Sequence, residues 1–501
     1  MARRFIDVLL VLAVAAAVAV RVSGLTGACL DGDEIFSLIT VRYGWDHTWN
    51  EMVKDAIHPP LFYVLLRGWM AAGGELLGWA RLFPAAVSAA AVVPLWLLCR
   101  ELEFRPLTRW FAVAGFAVNP FLLFYAHHVR MYSLLMMFSL VSLWLLARLL
   151  RGAGEAPTRW GLLLANLCMV WTQYYGWVVV GLEGAVILLW RPRLLGMFVR
   201  QAAAIAVAFA PWAVLAARSL AAKGGTAKNL GWIDRPGWSE FLWFFVDAAG
   251  LTGLPDAGVA TVLAALLPLA GLGVLTCGRR VPERSSRYFF LAAFAMLPPV
   301  VAFGVSQLLP HAIWGHRHLI VSVIPFVLLV TLYLELAPAG LLRWAAALLL
   351  AVWTAHSAAA VARPAPRKVP WDTLVLEILR REPAADGAVP LYAVGPHLHF
   401  PFWFFFGEWE ARRTGLMSFP PPGDPAELAE LARRAAAFRV VAVTDPAEIP
   451  RGDGWVVYSS ARPTGADPLA ALQSQGCAHG AASTARDWFQ TIHAVPVRCG
   501  R

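Results

Sequence analysis

Charge is scarce in this chain. Only 15% of its 501 residues are Asp, Glu, Lys or Arg, against 59% hydrophobic, and the mean hydropathy is +0.60. That scarcity excludes a soluble globular domain of this length, which has no use for so much apolar surface. A small-residue cleavage site after the first apolar run is also missing. Arg3 and Arg4 followed by Phe5 to Val20 therefore read as a signal anchor rather than a removable signal peptide. The long apolar runs are nearly free of acids, with Glu183 the mid-run exception, and the two halves of the chain show no repeat. Transporters and lipid flippases place ionisable groups and broken helices at mid-membrane, usually in related halves. A transporter or flippase is therefore the alternative reading, not the first. A non-catalytic scaffold gives no reason for the carboxylates and cations described below to gather in separate loops.

What the chain has is repeated apolar runs of about 17–25 residues, the length that crosses a hydrocarbon core. Its 23 Trp and 28 Phe suit anchoring at two membrane interfaces. Eleven spans are expected, near Phe5–Val22, Leu82–Cys99, Leu107–Phe124, Tyr132–Leu149, Trp160–Thr172, Tyr175–Trp190, Met197–Ala216, Gly258–Cys277, Tyr288–Gln307, Leu319–Glu335 and Leu341–Ala359. The net charge of +10 follows from loop arginines and implies no nucleic acid. One set of loops carries Arg100, Arg105 and Arg109; Arg148, Arg151 and Arg159; Arg191, Arg193 and Arg200; and Arg279, Arg280, Arg284 and Arg287. With Arg3 and Arg4 these are expected to be cytoplasmic by the positive-inside rule. The remaining loops and the tail then face outward from the cytoplasmic (inner) membrane. Pro59 to Ala72, short and opening on Pro-Pro, is expected to lie along the outer interface as a helix rather than to cross. This makes residues 23–81 one long outer loop.

After Ala362 the composition changes. Pro364, Pro366 and Pro370 mark a linker. Beyond it, helix-like stretches (Trp371–Arg381, Pro425–Phe438) alternate with short β runs (Val389–Val394, Val440–Val443, Trp455–Tyr458). The expected fold is an all-α polytopic membrane domain over residues 1–362, with interfacial helices in its first outer loop. A small extracytoplasmic α/β domain follows over 363–501. Cys477 and Cys499 both lie in the tail, where an outer location permits a disulfide; two free thiols are the alternative. Cys99, Cys168 and Cys277 read as packing residues.

Four polar groups stand in the outer loops. The first is Asp31-Gly32-Asp33-Glu34, directly after the first span. A carboxylate there suits a general base; alternatively Asp33 caps the helix that follows. The second is His58 before Pro59-Pro60, able to meet a phosphate when protonated or a metal when neutral. The third is the turn Tyr125 to Tyr132, with His127, His128 and Arg130. A guanidinium on the arginine-poor side suits a phosphate, whereas Tyr125 and Tyr132 also fit an interface belt. The fourth is His316-Arg317-His318, which snorkelling would also explain. Together these supply carboxylates at Asp31, Asp33 and Glu34 and cations at His58, Arg130 and Arg317. That set suits an anionic lipid-phosphate donor and an acceptor that must lose a proton. No metal is required; His58, Asp31 and Asp33 offer donors for a divalent ion.

The order of these motifs resembles the GT-C superfamily of membrane glycosyltransferases. Within it, the pattern is similar to the bacterial protein O-mannosyltransferase and aminoarabinose-transferase branch (glycosyltransferase family 39). The likeness rests on Asp33-Glu34, His58-Pro59-Pro60, Arg81-Leu82-Phe83-Pro84, Asn119-Pro120-Phe121, Arg130 to Leu134 and Arg317-His318-Leu319, in that order, and spans roughly Phe5 to Leu334. It implies transfer of a sugar from a polyprenyl-phosphate carrier to a glycan, lipid or protein acceptor on the outer face. It casts Asp33 as the base and Glu34 as its orienting partner. His58 would face the donor phosphate, and Arg130 and Arg317 the charge developing on it. His128, Tyr132, His318 and Asp31 would line the site. Where relatives often carry an acid in the second outer turn, this chain has His127, His128 and Arg130. Reporter tags at Arg105 and Gly152 should be shielded in intact cells and a tag at Arg501 accessible. A shielded tail would move Pro59–Ala72 into the membrane as a span and separate the four polar groups.

Overall fold

The computed structural model describes residues 2–152, 155–222, 234–251, 282–337, 340–362, 368–382, 387–395, 397–460, 468–486 and 490–499. The expected span Gly258–Cys277, with Cys277, Arg279, Arg280, Pro364, Pro366 and Arg501, lies outside the described residues. Two compact units form: Met1–Ser23, Thr40–Trp69 and Arg81–Arg363 in the first, and Gly24–Ile39, Met70–Ala80 and Pro364–Arg501 in the second. The expected division near 362 is thus joined by another, because residues 24–39 and 70–80 of the first loop fold with the tail. Within that second unit, buried Cys29 accepts from the Asp372 amide at 3.5 Å, and Lys368 binds Glu34.

The first unit is a helical bundle. Each expected span that falls on described residues is helical: Ala2–Val22, Leu77–Ala90 with Val92–Glu101, Pro106–Val118 with Pro120–Ala126, Tyr132–Leu150, Ala156–Thr172, Gly176–Trp190, Leu195–Ala222, Pro282–Leu308, Ile320–Leu336 and Leu341–Ala362. Among the described residues, five helices are long and apolar enough to cross a membrane alone, or six with the bent pair Pro106–Ala126. The remaining apolar helices are shorter, Leu61–Gly73 among them. Ala2–Val22, Ile320–Leu336 and Leu341–Ala362 all pack on Pro106–Val118, which makes that helix the spine of the unit.

The spine is secured at both ends. At its start, Glu335 from the Ile320–Leu336 helix accepts from the Arg105 amide (2.6 Å) and the Thr108 hydroxyl (2.7 Å) and pairs with the Arg105 guanidinium. A tertiary carboxylate thus does the work of an N-cap. At its end, Asn119-Pro120 breaks the helix by 53°. Pro120 has no amide to offer the Phe116 carbonyl four residues back. The Arg21 guanidinium supplies the missing donor, with Nη2 on Phe116 O at 2.8 Å and Nη1 on Ala117 O at 3.3 Å. It also bonds Ser88 Oγ at 2.9 Å and lies 3.9 Å over the Phe116 ring. Asn119 then caps the next helix by accepting from the Leu122 amide at 3.0 Å, and donates to Ala248 O. The Arg21 carbonyl takes the His127 ring at 2.9 Å, so one residue holds both the break and the turn after it. Inside the bundle, fully buried Glu183 accepts hydrogen bonds from Ser142 and Asn166, neutral donors from two neighbouring helices.

The second unit contains a six-stranded sheet: β1 Val389–Val394, β2 Phe438–Val443, β3 Gly454–Ser459, β4 Cys477–His479, β5 Ser483–Arg486 and β6 Thr491–Cys499. The order is β2-β1-β3-β6-β4, with β5 also on β6. β2, β1 and β3 run parallel, and β6 turns the far edge antiparallel. The first strands fall where the β runs predicted them, as do the helices Trp371–Arg381 and Pro425–Ala437. The helix His399–Glu410 and β4 to β6 were not predicted. Cys477 and Cys499 sit opposite each other in the β4–β6 register and form a disulfide. Val394, Val443, Val456 and Val497 fill the core beneath it.

Removing Arg21 should strand the Phe116 carbonyl in an apolar setting, at a cost of about 1–3 kcal/mol. Arg21→Met should therefore lower the thermal unfolding midpoint in detergent. Adding Pro120→Ala, which restores an amide near that carbonyl, should recover part of the loss. Strictly additive effects would show that Arg21 does not serve the proline break.

Candidate active site

The residues singled out by the motifs fall in both units. In the first unit, the loop 56–60 carries His58, which is 7% exposed. Ala56 closes the Trp45–Asp55 helix in the left-handed region (φ +54°), and its carbonyl accepts from Tyr174 at 3.0 Å. Trp212 donates in turn to that phenol at 3.1 Å. Pro59 and Pro60 then lead into Leu61–Gly73, where prolines are tolerated because the first amides of a helix have no partner. That helix presents Tyr63 to Arg130, whose Nη1 donates to the phenol oxygen at 3.1 Å. Arg130 and Tyr132 are buried, 5% and 0% exposed. They occupy the turn held by Arg21 through His127.

Aromatic contacts close the assembly. His128 lies 5.9 Å from Tyr132 and stacks on Tyr125 at the same separation. Tyr132 lies 6.3 Å from His318, and His318 lies 6.3 Å from His58 and 5.4 Å from Tyr175. His318 packs against Gly315, where a Cβ would come within 3.1 Å of its Nδ1. His58, His128, Tyr132 and His318 thus form a continuous chain of rings, with Arg130 beside them, although the sequence spreads them over more than 250 positions. The histidines at 316 and 318 part company: His316 pairs with Asp247 at 2.6 Å. Arg317, between them, is half-buried in the same turn. Imidazoles, a guanidinium and phenols from four chain segments make a donor-rich surface suited to an anion.

In the second unit, the Gly32–Arg42 helix opens with a reciprocal cap. Asp31 Oδ1 accepts from the Glu34 amide at 3.0 Å, and Glu34 Oε2 accepts from the Asp31 amide at 3.2 Å. This is a capping box with Asp in the first position. The cap offered as the alternative reading of Asp33 therefore belongs to Asp31, because only the residue three places before Glu34 can exchange both bonds. Asp33 is left half-exposed in the first helical turn. Glu34 is fully buried and takes the Lys368 ammonium at 2.5 Å; Asp31 Oδ2 lies 3.8 Å from the same nitrogen.

Lys368 is the residue that the sequence reading missed. Its signal was faint: it is one of four lysines in the chain and stands in a proline-rich stretch that resembles a plain linker. Tyr63 and Tyr175 were missed as well, because a tyrosine in or at the edge of an apolar run carries no motif. The donor set offered for a divalent ion is divided, Asp31 and Asp33 in the second unit and His58 in the first.

No protein-family model matches the chain, and no curated protein matches it by sequence. Solved structures do. Over 97% of both chains it is similar to ArnT from Cupriavidus metallidurans in the apo state, at 15% identity and a TM-score of 0.43. It is similar to the same protein bound to undecaprenyl phosphate, again over 97% of both chains at 15% identity, with a TM-score of 0.41. The oligosaccharyltransferase of Archaeoglobus fulgidus, in complex with Zn and sulfate, matches over 90% of this chain and 67% of its own at 14% identity, with a TM-score of 0.46. Taken from its own architecture, the chain is a helical membrane protein with a small mixed sheet near its C-terminus.

Breaking the Glu34–Lys368 pair should be costly, since it leaves one buried charge alone, about 3–5 kcal/mol. Lys368→Met should lower the unfolding midpoint in detergent, and the double variant with Glu34→Gln should regain most of it. Equal midpoints for the parent protein and Lys368→Met would show that the pair contributes no stability.

Proposed function

We propose that this chain is a membrane glycosyltransferase that moves a hexosyl or pentosyl group from a polyprenyl-phosphate carrier to a glycan, lipid or protein acceptor on the outer face of the cytoplasmic membrane. The observation that carries this reading is the gathering of His58, His128, Tyr132 and His318, with Arg130 hydrogen-bonded to Tyr63, in one buried assembly. Three motifs of the resemblance contribute, through His58, through Arg130 with Tyr132, and through His318, and the chemistry of the set matches a lipid phosphate.

In the proposed reaction, Asp33 accepts the proton of the acceptor hydroxyl or amine. The freed lone pair forms a bond to the anomeric carbon. The bond from that carbon to the phosphate oxygen breaks on the opposite side, and the lipid phosphate leaves with the electron pair. Arg130, with His58 and Arg317, meets the charge developing on the phosphate, where preorganised cations act most strongly. Glu34 and Asp31 hold the first turn of the helix that carries Asp33. The transporter alternative would draw on Glu183, but that carboxylate is fully buried and closed by Ser142 and Asn166.

The test is transfer from radiolabelled polyprenyl-phosphate sugars by the purified protein. Asp33→Asn keeps the shape of the side chain and cannot take a proton. It should fold and lose about 10²- to 10⁴-fold in turnover. Arg130→Ala should raise the donor concentration needed for half-maximal rate. Near-normal turnover by Asp33→Asn would remove it from the mechanism, and no consumption of any lipid-linked sugar would overturn the assignment.

A further inference from the structure

The Tyr132–Leu150 helix is 19 residues long, roughly 28 Å at 1.5 Å per residue, close to the thickness of a hydrocarbon core. The ring assembly of His58, His128, Tyr132 and His318 gathers at its N-terminal end. A second polar assembly lies at its other end, and the proposed transfer makes no use of it. An open cleft of about 580 Å³ forms there, lined among others by Glu103, Arg151, Trp190, Arg191, Arg287 and Phe290.

Glu103 organises this cleft. Its Oε1 accepts from Arg151 and its Oε2 from Arg287, so one carboxylate bridges two guanidiniums, as a phosphate would. Glu103 also stands just past the end of the Val92–Glu101 helix with φ +53°. That left-handed position usually belongs to glycine, and a glutamate endures strain there. The hydrogen bond from Arg151 and the nearby Arg287 charge hold its carboxyl below the usual carboxylate range. Arg191 donates through Nε to Leu150 O at 2.9 Å, which fixes a third guanidinium at the rim. With Glu101, the lining has three arginines against two glutamates, an excess of positive charge. Beside these charges, Leu189 is 76% exposed and Trp190 37% exposed. Trp190 packs 6.4 Å from Phe290. Guanidiniums next to an open apolar wall, one hydrocarbon thickness from the ring assembly, match an amphiphile better than a free anion.

We infer that this cleft binds the headgroup of an anionic glycerophospholipid from the leaflet at this end of the helix. Arg151 and Arg287 take the phosphate, Glu103 is displaced as their partner, and an acyl chain lies along Leu189 and Trp190. In the empty state Glu103 holds the two arginines in place.

The test uses the full chain in neutral detergent with fluorescent phosphatidylglycerol, phosphatidylcholine of the same acyl chains, and inorganic phosphate as competitor. Phosphatidylglycerol should bind more tightly than phosphatidylcholine, and millimolar phosphate should not displace it. Arg287→Ala should weaken its binding about tenfold or more, the scale of one charge-assisted hydrogen bond. Glu103→Gln should tighten it, because the internal competitor loses its charge. Equal binding of the two lipids, full displacement by phosphate, or an unchanged affinity in Glu103→Gln would each overturn the assignment. The last comparison stands even if Arg287→Ala fails to fold.

Discussion

Pro120 removes one backbone amide from the middle of an apolar bundle, and the guanidinium of Arg21 takes its place. Much of the first unit depends on that exchange. Without a donor, the Phe116 carbonyl would be buried unsatisfied, and the 53° bend after it would have no support. With it, the chain leaves the spine helix in a new direction under the cap of Asn119 and delivers His127, His128 and Arg130 to one turn. Arginine suits the task because several donors sit on one rigid plane and reach Phe116, Ala117 and Ser88 together. A cation at the C-terminal end of a helix is also favoured by the helix dipole.

The same economy of buried polar groups governs the second unit. Glu34 is buried with its charge, a state that survives only when a partner and hydrogen bonds replace water. Lys368 supplies the partner and the Asp31 capping box supplies the bonds. The consequence is positional. The first turn of the Gly32–Arg42 helix is fixed from two sides, and Asp33, next to the locked pair, inherits a defined place. The three acids of this turn therefore differ in their surroundings: Asp31 caps the helix, Glu34 is buried against Lys368, and Asp33 is half-exposed, the one that the proposed transfer uses as its base.

Charge at the far end of the spine follows a similar rule with a different outcome. Glu335 caps the Pro106–Val118 helix from a neighbouring helix, while Glu103 gathers arginines from two others. The loop arginines that suggested a cytoplasmic face have structural partners as well. Several are spent on tying helix ends together, and those around the cleft form a surface of their own.

Much of the fold was legible in the sequence, because apolar run length and turn chemistry are local. The described spans are helical, although the span expected over Leu107–Phe124 is broken at Asn119-Pro120, and Trp371–Arg381 shows buried Trp371, Leu374, Val375, Ile378 and Leu379 at helical spacing. Val389–Val394 and its parallel neighbours likewise announce themselves through β-branched runs. What the sequence could not determine is which distant groups meet. It named His58, Arg130 and His318 from motif order, yet not Tyr63 or Tyr175 between them. Its alternative for Asp33, a helix cap, falls to Asp31 instead, because spacing alone does not say which carboxylate exchanges bonds with Glu34. It treated Lys368 as linker and Arg21 as the end of a span. Those two residues act through partners 334 and 95 positions away, and a buried charge is assigned its role by the groups that replace its water, which only the tertiary structure brings together.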